Sequence, residues 1–239
     1  MRLRRPKSKG GVLLAIGGSL VVVAILAGAV VYFVLFPSSS PKPFSLTSTT
    51  AAVPVSPGTR FAGSWTIGSG SAAGYRVREK LGFLPAPSDA VGRTSQITGA
   101  ATVTESKGVV KVSRATFVVA VNTLKSNEAM RDQHIQTIGL QSATYPKATF
   151  TLSTPVTLPA SSASGAVVRV PVTGVFNIHG TARRLTLPVQ MRLTDSAIEA
   201  VGSLTFPWGE FNMTAPSVGG FVNVTSTATM EFDLHLRRA

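Results

Sequence analysis

The chain has no cysteine. That excludes thiol catalysis, cysteine-based zinc sites and a lipid anchor attached through cysteine, and it leaves any fold to stand on its core alone. Acids are scarce as well: ten in 239 residues, none before Glu79, against 23 lysines and arginines. No paired-carboxylate, EF-hand or HExxH pattern occurs, and the three histidines, His134, His179 and His235, have no metal-ligand spacing. There is no Gly-x-Ser-x-Gly elbow, and the glycine-rich stretch GSGSAAG at Gly68 to Gly74 lacks both the spacing and the Lys-Ser/Thr ending of a phosphate loop. The expectation is a protein that is not an enzyme and holds neither metal nor cofactor. A net charge of +13 suits anionic partners in general, but the basic residues are scattered and accompany no nucleic-acid-binding motif, so no nucleic acid is expected.

What is present begins with an uncharged run from Gly11 to Phe36, which as a helix spans about 39 Å and crosses a bilayer with room for tilt. A signal-peptide core covers only about 7 to 15 residues, so a single uncleaved transmembrane helix over 11–36 is expected. Arg2, Arg4, Arg5, Lys7 and Lys9 make residues 1–10 a basic tail, cytoplasmic by the positive-inside rule, which places the rest of the chain outside the cell membrane. Residues 37–63, rich in Pro, Ser and Thr, read as a linker that tethers the domain while leaving it free to rotate.

From residue 64 to 237 one pattern recurs. Leu185, Leu187, Val189, Met191 and Leu193 alternate with Arg184, Thr186, Pro188, Gln190 and Arg192, a strand with one dry face. The last strand alternates likewise, with Val222, Val224, Ala228, Met230, Phe232, Leu234 and Leu236 on the dry side and His235 on the wet one. Similar faces carry Ala115, Phe117, Val119 and Val121, then Ala148, Phe150 and Leu152, then Val168 to Ile178. His179-Gly180 between two strong strands is a hairpin signal. Only Asn127 to Leu140 breaks the period of two, and it reads as a short helix or structured loop with Met130, Ile135 and Ile138 inward. Many strands with one dry face each require a sandwich or a closed barrel.

Several stretches together resemble the YceI-like, polyisoprenoid- or lipid-binding domain family. They are SWTI at Ser64, YRVRE at Tyr75, VGRTSQITG at Val91, RDQHI at Arg131, YPKATF at Tyr145, GVFNIHGTARRLTLPV at Gly174, and FPWGEFNM followed by PSVGGFV near the end. The resemblance implies an all-β fold, an eight-stranded antiparallel lipocalin-like barrel with one short helical segment, here preceded by the transmembrane helix. It further implies a long isoprenoid or other lipid chain in an apolar lumen. Where many members carry an Asp and a His-Ser pair in the first strand, this chain has GSGSAAG, so no role of those residues transfers.

Two candidate sites follow. Phe117, Val119, Phe150, Phe176, Leu187, Phe206, Met230 and Phe232 fall on the dry faces of different strands, where they either line a slot for a hydrocarbon chain or fill a core; the resemblance favours the slot. Arg131, Asp132 and His134 form the most polar cluster, suited either to a ligand headgroup at the barrel mouth or to Asp132 capping a helix or pairing with Arg131. The function expected is membrane-tethered binding of a polyisoprenoid, quinone-like or other long-chain lipid, as carrier or sequestering protein. The alternative is a surface module with a filled barrel that binds a protein or wall polymer through Arg183, Arg184, Arg192, Arg237 and Arg238.

Overall fold

The computed structural model describes residues 40–46, 55–81, 87–218 and 222–239. The expected transmembrane run and basic tail lie outside these residues, and no helix among the described residues is long and apolar enough to cross a membrane. Residues Pro41–Ala239 form one compact unit.

The strands are β1 (Gly63–Ile67), β2 (Ala72–Leu81), β3 (Ser88–Thr94), β4 (Ile97–Ser106), β5 (Val109–Ala120), β6 (Lys147–Leu152) and β7 (Val156–Thr157). They continue as β8 (Val168–Ile178), β9 (Thr181–Leu193), β10 (Ala197–Pro207), β11 (Ser217–Val218), β12 (Val222–Val224) and β13 (Thr227–Arg238). All pairings are antiparallel, and the ring β1-β4-β5-β6-β8-β9-β10-β13 closes because β13 pairs back onto β1 through Thr66↔Arg237. Strand β2 continues the line of β1 along β13, and β3 lies beside β2 as β4 lies beside β1. The result is an all-β, closed eight-stranded antiparallel barrel with one helix, α1 (Ala129–Thr137), in the β5 to β6 connection.

Each stave follows from its alternation. In β8 every second residue from Val168 to Ile178 is buried, and its register partners in β9 run from Met191 to Thr181, so the two dry faces coincide. The two-residue turn between them has φ of +52° at His179 and +69° at Gly180, the paired positive values that suit the twist of a tight hairpin. His179 is held there by Gln141, whose Oε1 is 2.9 Å from its Nε2, and by the Tyr145 ring 4.2 Å away. Within the wall an aromatic side chain lies over a glycine at several places: a Cβ on Gly99 would meet Phe117 Cδ1 at 2.8 Å, and one on Gly202 would meet Phe232 Cζ at 2.6 Å.

The two ends of the barrel differ. At the end nearest β1 the interior is shut: Trp65 and Leu193 are 0% exposed, and Val103, Val110 and Ile198 are buried around them. Trp65 Nε1 donates to the Phe61 carbonyl at 2.9 Å, and the Arg238 guanidinium closes over the indole at 4.9 Å. At the other end, Tyr75, Phe117, Val119, Ala148, Phe150, Leu204, Met230 and Phe232 face inward yet are only half-buried.

Part of the segment read as a linker is docked. The Arg76 guanidinium donates to the Pro41 carbonyl at 2.6 Å, Arg93 donates to the Lys42 carbonyl and sits 3.8 Å above the Phe44 ring, and the Leu46 amide donates to Gln190 Oε1 at 3.1 Å. Leu46 is buried, as are Val91 and Val201 on the outward faces of β3 and β10. Farther on, the Ser56 amide and the Ser56 and Thr59 hydroxyls donate to the Asp195 carboxylate, holding it below the usual carboxylate range. Residues 41–46 therefore form a strap on the outer wall and residues 55–62 lead into the shut end, where Phe61 joins the core, which corrects the expectation of free rotation for these portions.

Candidate functional site: the half-open end of the barrel

Three of the expected lining residues form a ladder across neighbouring strands. Phe117 on β5 is opposite Phe150 on β6, which is opposite Phe176 on β8; ring centroids are 6.4 Å and 4.8 Å apart. Val119 stands across from Ala148 on the same face, and Leu187 across from Val172 deeper in the barrel. On the far wall Phe206 packs edge-on against Phe211 at 4.9 Å, while Met230 and Phe232 of β13 face Leu204 and Gly202 of β10 on one side and Tyr75 and Ala73 of β2 on the other. All eight residues thus lie on one continuous inner surface, with Phe176, Leu187 and Phe206 fully buried and the other five half-buried.

Helix α1 and its flanks lie over this end. Arg131 Nη2 donates to Glu79 Oε1 of β2 at 2.6 Å, and the chain after the helix comes so close to the segment before β11 that a Cβ on Gly139 would meet Pro216 Cγ at 2.8 Å. Of the three residues expected inward, Ile135 is half-buried but Met130 and Ile138 are turned to solvent. Met130 is 64% and Ile138 36% exposed, whereas Asp132 is buried. The reason is polar: Asp132 Oδ1 accepts from the Ser126 amide and hydroxyl, both at 2.8 Å, and Oδ2 lies 3.7 Å from Lys125 Nζ. Satisfying that carboxylate turns the opposite face of a short, weakly amphipathic helix to water. Asp132 neither caps the helix nor pairs with Arg131, whose partners are Glu79 and Asn127 Oδ1 at 2.9 Å. His134 lies half-buried on the same helix.

Sequence reasoning missed Tyr75 and Glu79. Both are on the inward face of β2, since Tyr75 is opposite Met230 and Glu79 is two residues further along the same side. Glu79 is 6% exposed, with Arg131 as its ion-pair partner. Tyr75 places its hydroxyl among Ser126, Arg131, Asp132 and Glu79, where it is buried without a hydrogen bond of acceptable geometry. Burial raises its pKa far above the ordinary phenol value, so it stays protonated and remains a donor. The available signal was the alternation Ala73, Tyr75, Val77, Glu79, which places a carboxylate on a dry face.

Among solved structures, a polyisoprenoid binding domain from Saccharophagus degradans implicated in plant cell wall breakdown superposes with a TM-score of 0.55 at 17% identity, covering 74% of this chain and 99% of that one. A mutant of the Campylobacter jejuni YCEI protein superposes with a TM-score of 0.50 at 12% identity, covering 62% of this chain and 84% of that one. Both show the same fold. No curated protein matches the chain. The YceI-like domain itself matches residues 65–236, the whole barrel from the buried Trp65 to the buried Leu236, and the chain belongs to the YceI-like domain family.

Proposed function

We propose that the barrel binds a long-chain lipid, of the polyisoprenoid or quinone-like kind, without catalysing a reaction on it, and that the chain presents it from the outer side of the cell membrane as a carrier or sequestering protein. The observation that carries the reading is the asymmetry of the interior: one end is packed shut, while the other keeps Phe117, Val119, Phe150, Met230 and Phe232 inward-facing but half-buried. A hydrocarbon chain laid against that surface gains about 0.8 kcal/mol per buried methylene, so ten carbons supply about 8 kcal/mol before the costs of association. Membership in a family with a structurally similar polyisoprenoid binding domain supports the ligand class. Mass spectrometry of organic extracts from gently purified full-length protein is expected to show a co-purifying long-chain species in roughly stoichiometric amount. Extracts matching a control membrane protein of similar size would refute the reading.

The tether rests on the uncharged run 11–36 and the basic residues before it. Protease added to intact cells or spheroplasts is expected to release a soluble fragment of about 20 kDa, because exposed Pro/Ser/Thr-rich stretches are preferred nicking sites. Resistance until the membrane is permeabilised would reverse the orientation. The surface-module alternative draws little from four of the five arginines that motivated it, Arg237 being exposed. Arg192 is bound to Glu199 at 2.6 Å, Arg238 is turned onto Trp65, Arg183 lies 3.7 Å from Glu210, and Arg184 donates to Thr154 Oγ1.

A further inference from the structure

At the half-open end β2 and the approach to α1 bring Tyr75, Glu79, Ser126, Arg131 and Asp132 together as a charged cluster beside the apolar inner face. We propose that this cluster is the headgroup site of the lumen, that the Tyr75 hydroxyl is its hydrogen-bond donor, and that it selects a neutral ligand end bearing an acceptor oxygen, such as a quinone or ester carbonyl, over a phosphorylated one. The assignment rests on the lipid-binding reading above and names the kind of lipid.

The donor argument is one of satisfaction. Glu79 has the Arg131 guanidinium at 2.6 Å, Arg131 has Glu79 and Asn127, Asp132 has the Ser126 amide and hydroxyl, and Ser126 Oγ accepts from the Glu128 amide at 3.1 Å. Of the five, only Tyr75 has its hydroxyl buried without a well-formed hydrogen bond, the neighbouring Ser126 hydroxyl being engaged by Asp132. A buried hydroxyl without a partner costs about 1–3 kcal/mol, which a ligand acceptor returns on binding. Tyr75 is opposite Met230 and its ring lies over Gly92, where a Cβ would meet the hydroxyl oxygen at 2.9 Å, so a chain lying along Met230 and Phe232 runs beside this residue.

The exclusion argument is one of charge. The carboxylates of Glu79 and Asp132 offset the cations of Arg131 and Lys125, and the guanidinium already spends its best geometry on Glu79. A phosphate delivered here meets the two buried carboxylates of Glu79 and Asp132, whose described cation partners, Arg131 and Lys125, are already engaged with them, an unfavourable arrangement for a further negative charge. A carbonyl needs only the phenol. In the closed arrangement the hydroxyl is shut off from water, and α1 is the element that yields to admit a ligand end, since Asp132 is its one buried residue and Met130 and Ile138 point outward.

The test uses the full chain in phosphatidylcholine nanodiscs and two probes of equal tail length, a decyl-substituted benzoquinone and decyl phosphate, titrated by calorimetry. The quinone is expected to bind at least about tenfold more tightly than the phosphate. Tyr75→Phe is expected to weaken the quinone about three- to tenfold, the worth of one neutral hydrogen bond, and to leave decyl phosphate unchanged. Glu79→Gln, which keeps an acceptor for Arg131, is expected to strengthen decyl phosphate several-fold with little effect on the quinone. The bound quinone's carbonyl band in the infrared is expected at lower frequency in the natural protein and back at its free position in Tyr75→Phe. Phosphate binding as tight as quinone binding, or a Tyr75→Phe variant with unchanged affinity and carbonyl band, overturns the headgroup assignment while leaving the lipid lumen standing. Failure of both probes to bind overturns the lumen itself.

Discussion

Replacing Glu231 by alanine is expected to cost the barrel about 3 kcal/mol, the lower part of the range for breaking a buried ion pair. Glu231 belongs to the outward face of β13, yet it is 3% exposed. Its Oε1 accepts from Arg93 Nη2 at 2.8 Å and Nε at 3.0 Å, and its Oε2 from Arg76 Nε at 3.4 Å. Removing the carboxylate leaves Arg76 to Asp89, which also meets Arg78, and takes from Arg93 the carboxylate to which it donates. The same arginines hold Pro41, Lys42 and Phe44, so the strap should loosen with the barrel wall. Urea melts give the stability change, and limited proteolysis between residues 41 and 46 reports the strap. Arg78→Ala removes a more exposed partner and is expected to cost less than about 1 kcal/mol. A Glu231→Ala protein as stable as Arg78→Ala, with an equally resistant strap, would show that the buried network contributes nothing.

Strands were legible because their dry faces repeat with period two and because the turns announce themselves. β8, β9 and β13 carry long uninterrupted alternation, and His179-Gly180 supplies a turn that only positive φ values fit. Closure into a barrel was not in the periodicity, which fits a sandwich equally well; it followed from the family resemblance, and the β1 to β13 pairing closes the ring. Helix α1 was misread at Met130 and Ile138 because they were weighed by hydrophobicity, whereas a single carboxylate with two donors from Ser126 decides which side faces in. His235, assigned to the wet face, is half-buried there, with Nε2 3.2 Å from Asp233 Oδ1. The strap was illegible for a different reason. Its contacts join Phe44 to Arg93 and Leu46 to Gln190, pairs distant in sequence and without a periodic signal. Glu79 and Tyr75 were hidden behind GSGSAAG, whose turn residues drew attention from the short alternation that follows.

A phenylalanine in place of Ala148 separates a lumen from a filled core, the two readings that the same inward residues allow. Ala148 is on the inner face of β6, opposite Val119 and two residues from Phe150, in the half-buried end of the barrel. If that end is a lumen, the added ring occupies space meant for ligand: co-purifying lipid is expected to fall at least about tenfold, while stability changes by less than about 1 kcal/mol because no packed neighbour has to move. If the end is filled, the ring strains the wall instead, at a cost of about 1–3 kcal/mol, with no lipid to lose. Val110→Phe is the matched control at the shut end, where Val110 is 2% exposed beside Val112 and Val103, and there the destabilising outcome is expected. Thermal melts and lipid extraction from the two variants decide the matter together. An Ala148→Phe protein that melts as low as Val110→Phe and carries as much lipid as the natural chain would place the ligand somewhere other than this inner surface.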